Sequence, residues 1–133
     1  IKNVFELEYL ENRGAAFGML QGRQGFFFLI AAAVILAVLW AVYRMPARKR
    51  YLPLMCSLFL LVSGAVGNMI DRLTQKYVVD FLYFKLIDFP IFNVADCYVV
   101  IATFSLILLF FFFYSDEELE FLSFKGAKKE SGR

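Results

Sequence analysis

Two carboxylates in the sequence lie beside strongly apolar stretches, where an acidic side chain is unexpected. Asp80 interrupts the apolar and aromatic run at residues 77–84, and Asp96 directly precedes a long apolar block. Burial disfavours the charged form of a carboxyl group and raises its pKa. When two carboxyl groups meet across one water, the ionised one can take a proton from it while the protonated one polarises a scissile carbonyl. The pair therefore predicts hydrolysis that needs no metal, cofactor or nucleophilic side chain.

Each aspartate also has a plain structural interpretation. Asp80 fits a strand residue turned toward water, since alternation along a strand permits it. Asp96 fits the N-cap of the helix that follows, where backbone N–H groups and the helix dipole stabilise a negative charge. A capping position is compatible with catalysis, because it fixes the carboxylate and lowers its pKa. We therefore expect Asp96 to ionise more readily than Asp80, whose apolar neighbours favour the protonated form.

A group of small and polar residues ends the apolar block before Asp80. Gly64, Asn68 and Asp71 fall at i, i+4 and i+7, so they share one helix face, which Arg72 borders. Such a face is unfavourable toward lipid and should point into a helix bundle, where Gly64 allows close helix approach. A polar helix end at the membrane interface is the plainer alternative. In the bundle arrangement, Asp71 and Arg72 are expected to brace the two aspartates.

The composition indicates that membrane helices hold these residues. Of the 133 residues 61% are hydrophobic and the mean hydropathy is +0.65, whereas soluble domains are about 45–50% apolar. The apolar residues gather in three blocks at about residues 25–43, 51–70 and 97–114. Each block is close to the ~20 residues that cross a bilayer core, and a soluble helix bundle rarely needs such long uncharged runs. The sequence predicts an all-α polytopic membrane bundle.

The charges flanking these spans predict how the bundle is oriented. Four of the seven residues at 44–50 are basic, which places this loop in the cytoplasm by the positive-inside rule. Residues 1–24 and 71–96 then lie outside, and the tail at 115–133 lies inside. An external N-terminal segment must be carried across the membrane, so we expect a further, first span upstream of Ile1.

A small β element is expected on the external side. Residues 5–9 alternate between apolar and acidic side chains, which is the period of a strand. We expect a strand within residues 1–11 to pair with part of residues 71–96. That second segment is rich in aromatic residues, which are favoured at the membrane surface.

Several classes of function are excluded or disfavoured. The chain has no histidine, which excludes Ser-His and Cys-His catalysis and histidine-ligated metal, and a net charge of +2 gives no electrostatic case for nucleic acid. Cys56 and Cys97 lack metal-type spacing and fit small apolar residues. A proton relay in a transporter would need acidic groups at mid-depth in the spans, where none occurs. A purely structural scaffold leaves the paired carboxylates unexplained.

Four motifs, in this order and on this predicted topology, resemble those of the lipoprotein signal peptidases, or signal peptidase II. Any one of the motifs is weak, but four in order beside matching spans are specific. The resemblance covers the chain up to about residue 114. The motifs are Asn12-Arg13-Gly14-Ala15-Ala16-Phe17-Gly18, Gly64-x-x-Gly67-Asn68-x-x-Asp71-Arg72, Val78-Val79-Asp80-Phe81 and Phe92-Asn93-x-Ala95-Asp96.

The resemblance implies an aspartic endopeptidase of the bacterial cytoplasmic (inner) membrane. Such enzymes remove the signal peptide from prolipoproteins, cutting just before a cysteine that carries a diacylglyceryl group. By the resemblance, Asp80 and Asp96 match the catalytic aspartates. Eight further positions match family residues that shape the site, hold the two aspartates or contact the substrate. They are Asn12, Gly14, Gly64, Asn68, Asp71, Arg72, Asn93 and Ala95.

The resemblance also sets expectations for organisation and partners. Residues 1–114 are expected to form the membrane peptidase domain, with an extracytoplasmic active site, and residues 115–133 a cytoplasmic tail. The expected partners are the prolipoprotein signal peptide with its diacylglyceryl-cysteine, and membrane lipid. No cofactor is implied, and a monomer is expected. The family's first helix, which adds polar residues to the site, has no counterpart in this sequence.

Overall fold

Three long helices form the body of the described part of the chain, and each is long and apolar enough to cross a membrane. The computed structural model describes residues 1–14 and 23–124. The predicted all-α bundle with three spans is confirmed. The helices are α1 (Gln24–Arg44), α2 (Leu52–Gln75) and α3 (Val94–Leu108), with α3 continued by a π-helical turn at Leu109–Phe113.

Both α2 and α3 extend beyond the apolar runs that predict them. The α2 helix continues past residue 70 because polar side chains such as Asp71 leave its backbone hydrogen bonds intact. It ends at Gln75, and the cap residue Lys76 that follows adopts the left-handed conformation with φ of 65°. The α3 helix begins at Val94, before the apolar run at 97, because Asn93 caps it. The added turns carry the polar residues of both helices.

The α2 helix lies between α1 and α3 and packs against both. In the most apolar 18-residue stretch of each span, only 11%, 22% and 6% of the residues are buried, in chain order. Most of their apolar side chains therefore face outward, as expected of helices in lipid. The buried apolar cluster lies toward the loop that joins α1 to α2. Its members are Val38, Ala41, Met45, Tyr51, Leu54, Leu58 and Tyr114.

A two-stranded antiparallel sheet lies at the other end of the bundle. Strand β1 (Glu6–Asn12) pairs with β2 (Val78–Tyr83), and Asn12 lies opposite Val78. An isolated bridge from Leu82 to Phe92 ties β2 to the segment that leads into α3. The predicted strand and its pairing with part of residues 71–96 are therefore confirmed. This sheet places the end of β1 beside the N-terminus of α3.

The chain after α3 folds back onto the start of α2. Arg50 donates a hydrogen bond to the carbonyl of Phe113 and forms an ion pair with Glu118. The Tyr51 hydroxyl donates to the backbone carbonyl of Glu118 at 2.7 Å. These contacts fix the beginning of the predicted tail at the end of the bundle opposite the sheet. The basic end of that tail and the motif positions at residues 15–18 lie outside the described residues.

Candidate active site

The two aspartates come from different elements that meet where the sheet joins the helices. Asp80 lies within β2 and is only 2% exposed. Asp96 lies in the first turn of α3 and lines the same cavity as Asp80. The pairing of β1 with β2 and the packing of α3 on α2 thus bring two residues sixteen positions apart to one site.

The position of Asp96 before the apolar run suggested that it is the N-cap of α3, but the structure shows that it is not. Asn93 is the N-cap, and Asp96 is the third helical residue. The Asn93 side-chain oxygen accepts from the Asp96 backbone N–H at 2.9 Å, and the Asp96 carboxylate accepts from the Asn93 backbone N–H at 3.1 Å. This reciprocal pair is a capping box. The helix begins earlier because an asparagine side chain satisfies its first N–H groups as well as an aspartate does.

Asn93 links the two aspartates through a single side chain. Its Nδ2 donates to Oδ1 of Asp80 at 2.8 Å and to Oδ1 of Asn68 at 3.0 Å. Its own backbone and side-chain atoms also hold Asp96 through the capping box. Asn93 is 5% exposed, so these bonds are made away from water and are costly to break. One residue therefore sets the relative positions of both carboxylates.

Two further asparagines occupy the remaining carboxylate oxygens. Nδ2 of Asn12 donates to Oδ2 of Asp80 at 3.0 Å, and Nδ2 of Asn68 donates to Oδ1 of Asp96 at 3.0 Å. Together with the bonds from Asn93, these bonds give every oxygen of the two carboxylates at least one hydrogen bond from an amide N–H. Amide donors carry no charge, so they orient the carboxylates without fixing either as an ion pair.

Burial raises the pKa of Asp80 above its ordinary value and is the largest influence on it. The nearby charge of Asp96 acts in the same direction, while the hydrogen bonds from Asn12 and Asn93 and the charge of Arg72 lower the pKa. The raising influences prevail. Asp80 therefore keeps its proton to a higher pH than a solvated aspartate, as expected of a general acid.

Arg72 braces the site from α2. Its Nη2 donates to the carbonyl of Gly14 at 3.0 Å, and its guanidinium lies 4.6 Å from the ring centroid of Phe27. The Gly14 N–H in turn donates to Oδ1 of Asn12 at 2.9 Å. Through these two bonds Arg72 holds the end of β1, and with it the asparagine that contacts Asp80.

Gly64 lies at a close contact between α2 and α3. A Cβ atom at this position would lie 2.6 Å from the carbonyl oxygen of Ala95 and 2.7 Å from Cγ2 of Val99. Only glycine allows this approach, which places Asn68, one turn further along α2, within hydrogen-bond distance of Asp96.

Asp71 is an expected site residue that does not join this network. It does not line the cavity, and among the described residues no side chain donates a hydrogen bond to its carboxylate. Arg72, one residue later, is turned toward the site instead. The supporting role expected of Asp71 stays a prediction.

A cavity of about 600 Å³ opens beside the two aspartates. One wall carries the five polar residues Asn12, Asn68, Arg72, Asp80 and Asp96. The remaining lining is apolar and comes from the aromatic part of residues 71–96, which the sequence predicted to lie at the membrane surface, and from the start of α3. Cys97, read from the sequence as a small apolar residue, is part of it. The apolar lining consists of Val78, Phe84, Phe89, Pro90, Ile91, Phe92, Cys97, Val99, Val100 and Ile101.

Comparisons with known proteins agree with this arrangement. The family model described as Signal peptidase (SPase) II matches residues 1–112. A lipoprotein signal peptidase of Streptococcus thermophilus (strain CNRZ 1066) is 46% identical over 109 residues, covering 82% of this chain and 70% of the relative. That of Clostridioides difficile (strain 630) is 44% identical over 103 residues, covering 77% and 68%. A solved structure described as a bacterial membrane enzyme matches with a TM-score of 0.74 at 33% identity, covering 83% and 67%. The resemblance seen in the four motifs is thus confirmed, and the chain belongs to the signal peptidase II family of membrane proteases.

Proposed function

We propose that this protein cleaves the signal peptide from diacylglyceryl-modified bacterial prolipoproteins, immediately before the lipid-modified cysteine, with Asp80 and Asp96 activating the attacking water. The observation that carries the proposal is the amide network in which Asn93 bonds both carboxylates at the wall of one cavity. Membership of the signal peptidase II family supports the substrate class.

The two carboxylates divide the proton transfers of peptide hydrolysis. Ionised Asp96 takes a proton from water, and the resulting hydroxide attacks the scissile carbonyl carbon. Protonated Asp80 gives its proton to the carbonyl oxygen as the tetrahedral intermediate forms. When the C–N bond breaks, the proton on Asp96 passes to the leaving amine, and the carboxyl product returns a proton to Asp80.

The other site residues support this chemistry. Asn12, Asn68 and Asn93 hold the carboxylates at fixed angles, while Arg72 holds the end of β1 through Gly14. The apolar part of the cavity wall suits a substrate that arrives with an apolar peptide and acyl chains. A dry wall also strengthens each electrostatic interaction at the reacting carbonyl.

We propose that the site lies at the extracytoplasmic face of the bacterial inner membrane. The support is the charge distribution: the basic loop at residues 44–50 lies at the opposite end of α2 from the aspartates. In this orientation the peptidase domain, residues 1–114, lies mainly within the membrane and on its external side. The tail at residues 115–133 then lies in the cytoplasm.

The proposal is tested by incubating the full-length protein in lipid with one prolipoprotein in two forms, with and without the diacylglyceryl group. We expect only the modified form to be cut, to a product whose mass gives the lipid-bearing cysteine as its first residue. Cleavage at another bond, or equal cleavage of both forms, would contradict the proposed specificity.

The Asn12→Leu substitution is expected to move the pH profile of cleavage. Asp80 works protonated, so activity is lost as pH rises through its pKa. The Asn12 amide stabilises the Asp80 anion and lowers that pKa; without the amide the pKa rises. The alkaline limb of kcat/KM against pH should therefore shift to higher pH, with a lower maximum rate. Glu8→Gln, on the exposed side of β1, is the matched control. A downward shift of the limb, or no shift, would argue against Asp80 as the acid.

A further inference from the structure

Two buried side-chain atoms close to the end of β1 have no hydrogen-bond partner among the residues that the structure describes. They are Oε1 of Gln24, the first residue of α1, and Nε of Arg72 on α2. Burying a polar atom without a hydrogen bond is costly, and buried polar atoms that lack a protein partner commonly bond an ordered water or ion. Each of the two atoms therefore indicates a bond that no described side chain supplies.

The two atoms have opposite hydrogen-bonding character. The carbonyl oxygen of Arg13 can only accept, so Nε2 of Gln24 must face it, and it donates there at 3.2 Å. The oxygen of the same amide, Oε1, is left as an acceptor. On Arg72, Nη2 donates to the carbonyl of Gly14, and Nε is left as a donor. The two side chains do not bond each other directly, so a bridge between them must both accept and donate.

Gln24 and Arg72 line the same small cavity between the start of α1 and the end of α2. Its volume is about 30 Å³, close to the share of the liquid that one water molecule occupies. The rest of its lining is apolar and consists of Phe27, Phe28, Met69 and Leu73. The small cavity thus has room for one small molecule and offers it polar atoms from two residues.

We propose that one water molecule in the small cavity bridges Nε of Arg72 and Oε1 of Gln24, and that Gln24 is through this bridge a positioning residue for the catalytic pair. The water accepts from Arg72 and donates to Gln24. This gives it two polar partners, within the two to four that buried waters have. The water site follows from the geometry alone, whereas its effect on cleavage rests on the proposed function.

Water fits the bridge better than other occupants do. A cation is repelled by the guanidinium of Arg72, and an anion is repelled by the amide oxygen of Gln24, which can only accept. A side chain from another segment, including a span upstream of Ile1, is too large for the space and would have to displace the apolar residues around it. Both polar atoms are already buried by the chain itself.

The bridge acts on the active site through the segment that follows β1. The two bridged side chains hold successive carbonyls of that segment, those of Arg13 and Gly14. The Gly14 N–H donates to Oδ1 of Asn12, whose Nδ2 in turn donates to Asp80. A water that fixes the two side chains relative to each other therefore holds this segment from α1 and α2 at once. The Asn12 amide is thereby kept in place on Asp80.

A crystal structure of the full-length protein that resolves ordered waters tests the bridge itself. We expect a water about 2.7–3.2 Å from both Nε of Arg72 and Oε1 of Gln24. In the Gln24→Met variant, whose side chain is of similar length but has no amide, this water should be lost. A direct bond between the two side chains, a side chain of another segment on either atom, or a dry cavity would refute the bridge, whether or not the protein cleaves prolipoproteins.

Cleavage kinetics test the positioning role. Gln24→Met should lower kcat by about two- to tenfold, the range for the loss of one hydrogen bond. KM should change little, because Gln24 does not line the cavity beside the aspartates. Gln24→Glu keeps an acceptor for the water and should retain more of kcat than Gln24→Met. Gln75→Met is the matched control, since Nε2 of Gln75 donates to the Tyr77 carbonyl at 3.3 Å and Gln75 lines neither cavity.

The pH profile separates positioning from general damage to the fold. The Asn12 amide and the charge of Arg72 both lower the pKa of Asp80, whereas the charge of Asp96 raises it. Loosening the first two raises that pKa, so the alkaline limb of kcat/KM in Gln24→Met should move to higher pH and stay in place in the control. An unchanged limb, equal kcat for the Met and Glu variants, or a rise in KM alone would overturn the positioning role. Normal cleavage by the unmodified protein in the same assay would leave the proposed function intact.

Discussion

Replacing either Asp80 or Asp96 by asparagine is expected to abolish cleavage of a lipid-modified prolipoprotein, with kcat falling by about 10³-fold or more. An amide can neither take the proton from water nor supply one to the carbonyl oxygen. The hydrogen bonds that Asp80 and Asp96 accept from asparagines show that each carboxylate is held in place. The assay is cleavage by the full-length protein, with folding and membrane insertion measured independently.

Asp88→Asn is the matched control for this pair. Asp88 is exposed and accepts a hydrogen bond from the Tyr83 hydroxyl, at a position outside the cavity. Its asparagine variant should retain the turnover of the unmodified protein. Substantial turnover by Asp80→Asn or Asp96→Asn in a correctly folded protein would exclude the two-aspartate mechanism.

The Gly64→Leu substitution is expected to lower both stability and activity. Even the first side-chain atom would lie 2.6 Å from the carbonyl oxygen of Ala95, and that oxygen belongs to a helix backbone that cannot rotate away. Relieving the overlap moves α3 away from α2, at a cost of about 1–3 kcal/mol for overpacking. The same movement pulls Asn68 away from Asp96, so cleavage should fall by about tenfold or more.

Gly67→Ala separates this effect from the general loss of a glycine. A Cβ at Gly67 meets only the Cβ of Ala95, at 3.4 Å, which an ordinary packed interface accommodates. We expect this variant to melt near the unmodified protein and to cleave substrate at a similar rate. Thermal unfolding in detergent and cleavage in lipid give the two readouts. Normal activity of Gly64→Leu would mean that close approach of α2 to α3 is not required.

Much of the architecture followed from the sequence alone, and the sequence also singled out the two aspartates that we propose to react. The number of spans depends on the length and apolar content of each run, which are local properties that can be counted. The strand at residues 5–9 followed from its alternating side chains, which have the period of a pleated backbone. Asp80 and Asp96 were prominent because carboxylates are rare beside apolar runs, and the order of four motifs connected them with a family.

The tertiary structure decided how the aspartates are held. Asn93 capped α3 in place of Asp96, because α3 began three residues before its apolar run and composition cannot locate a helix end. Arg72 turned toward the site while its neighbour Asp71 did not, because successive helical residues point about 100° apart and packing decides which one faces inward. The bond from Asn12 to Asp80 spans 68 positions. Such a contact exists only because β1 pairs with β2, and no local property of either segment determines that pairing.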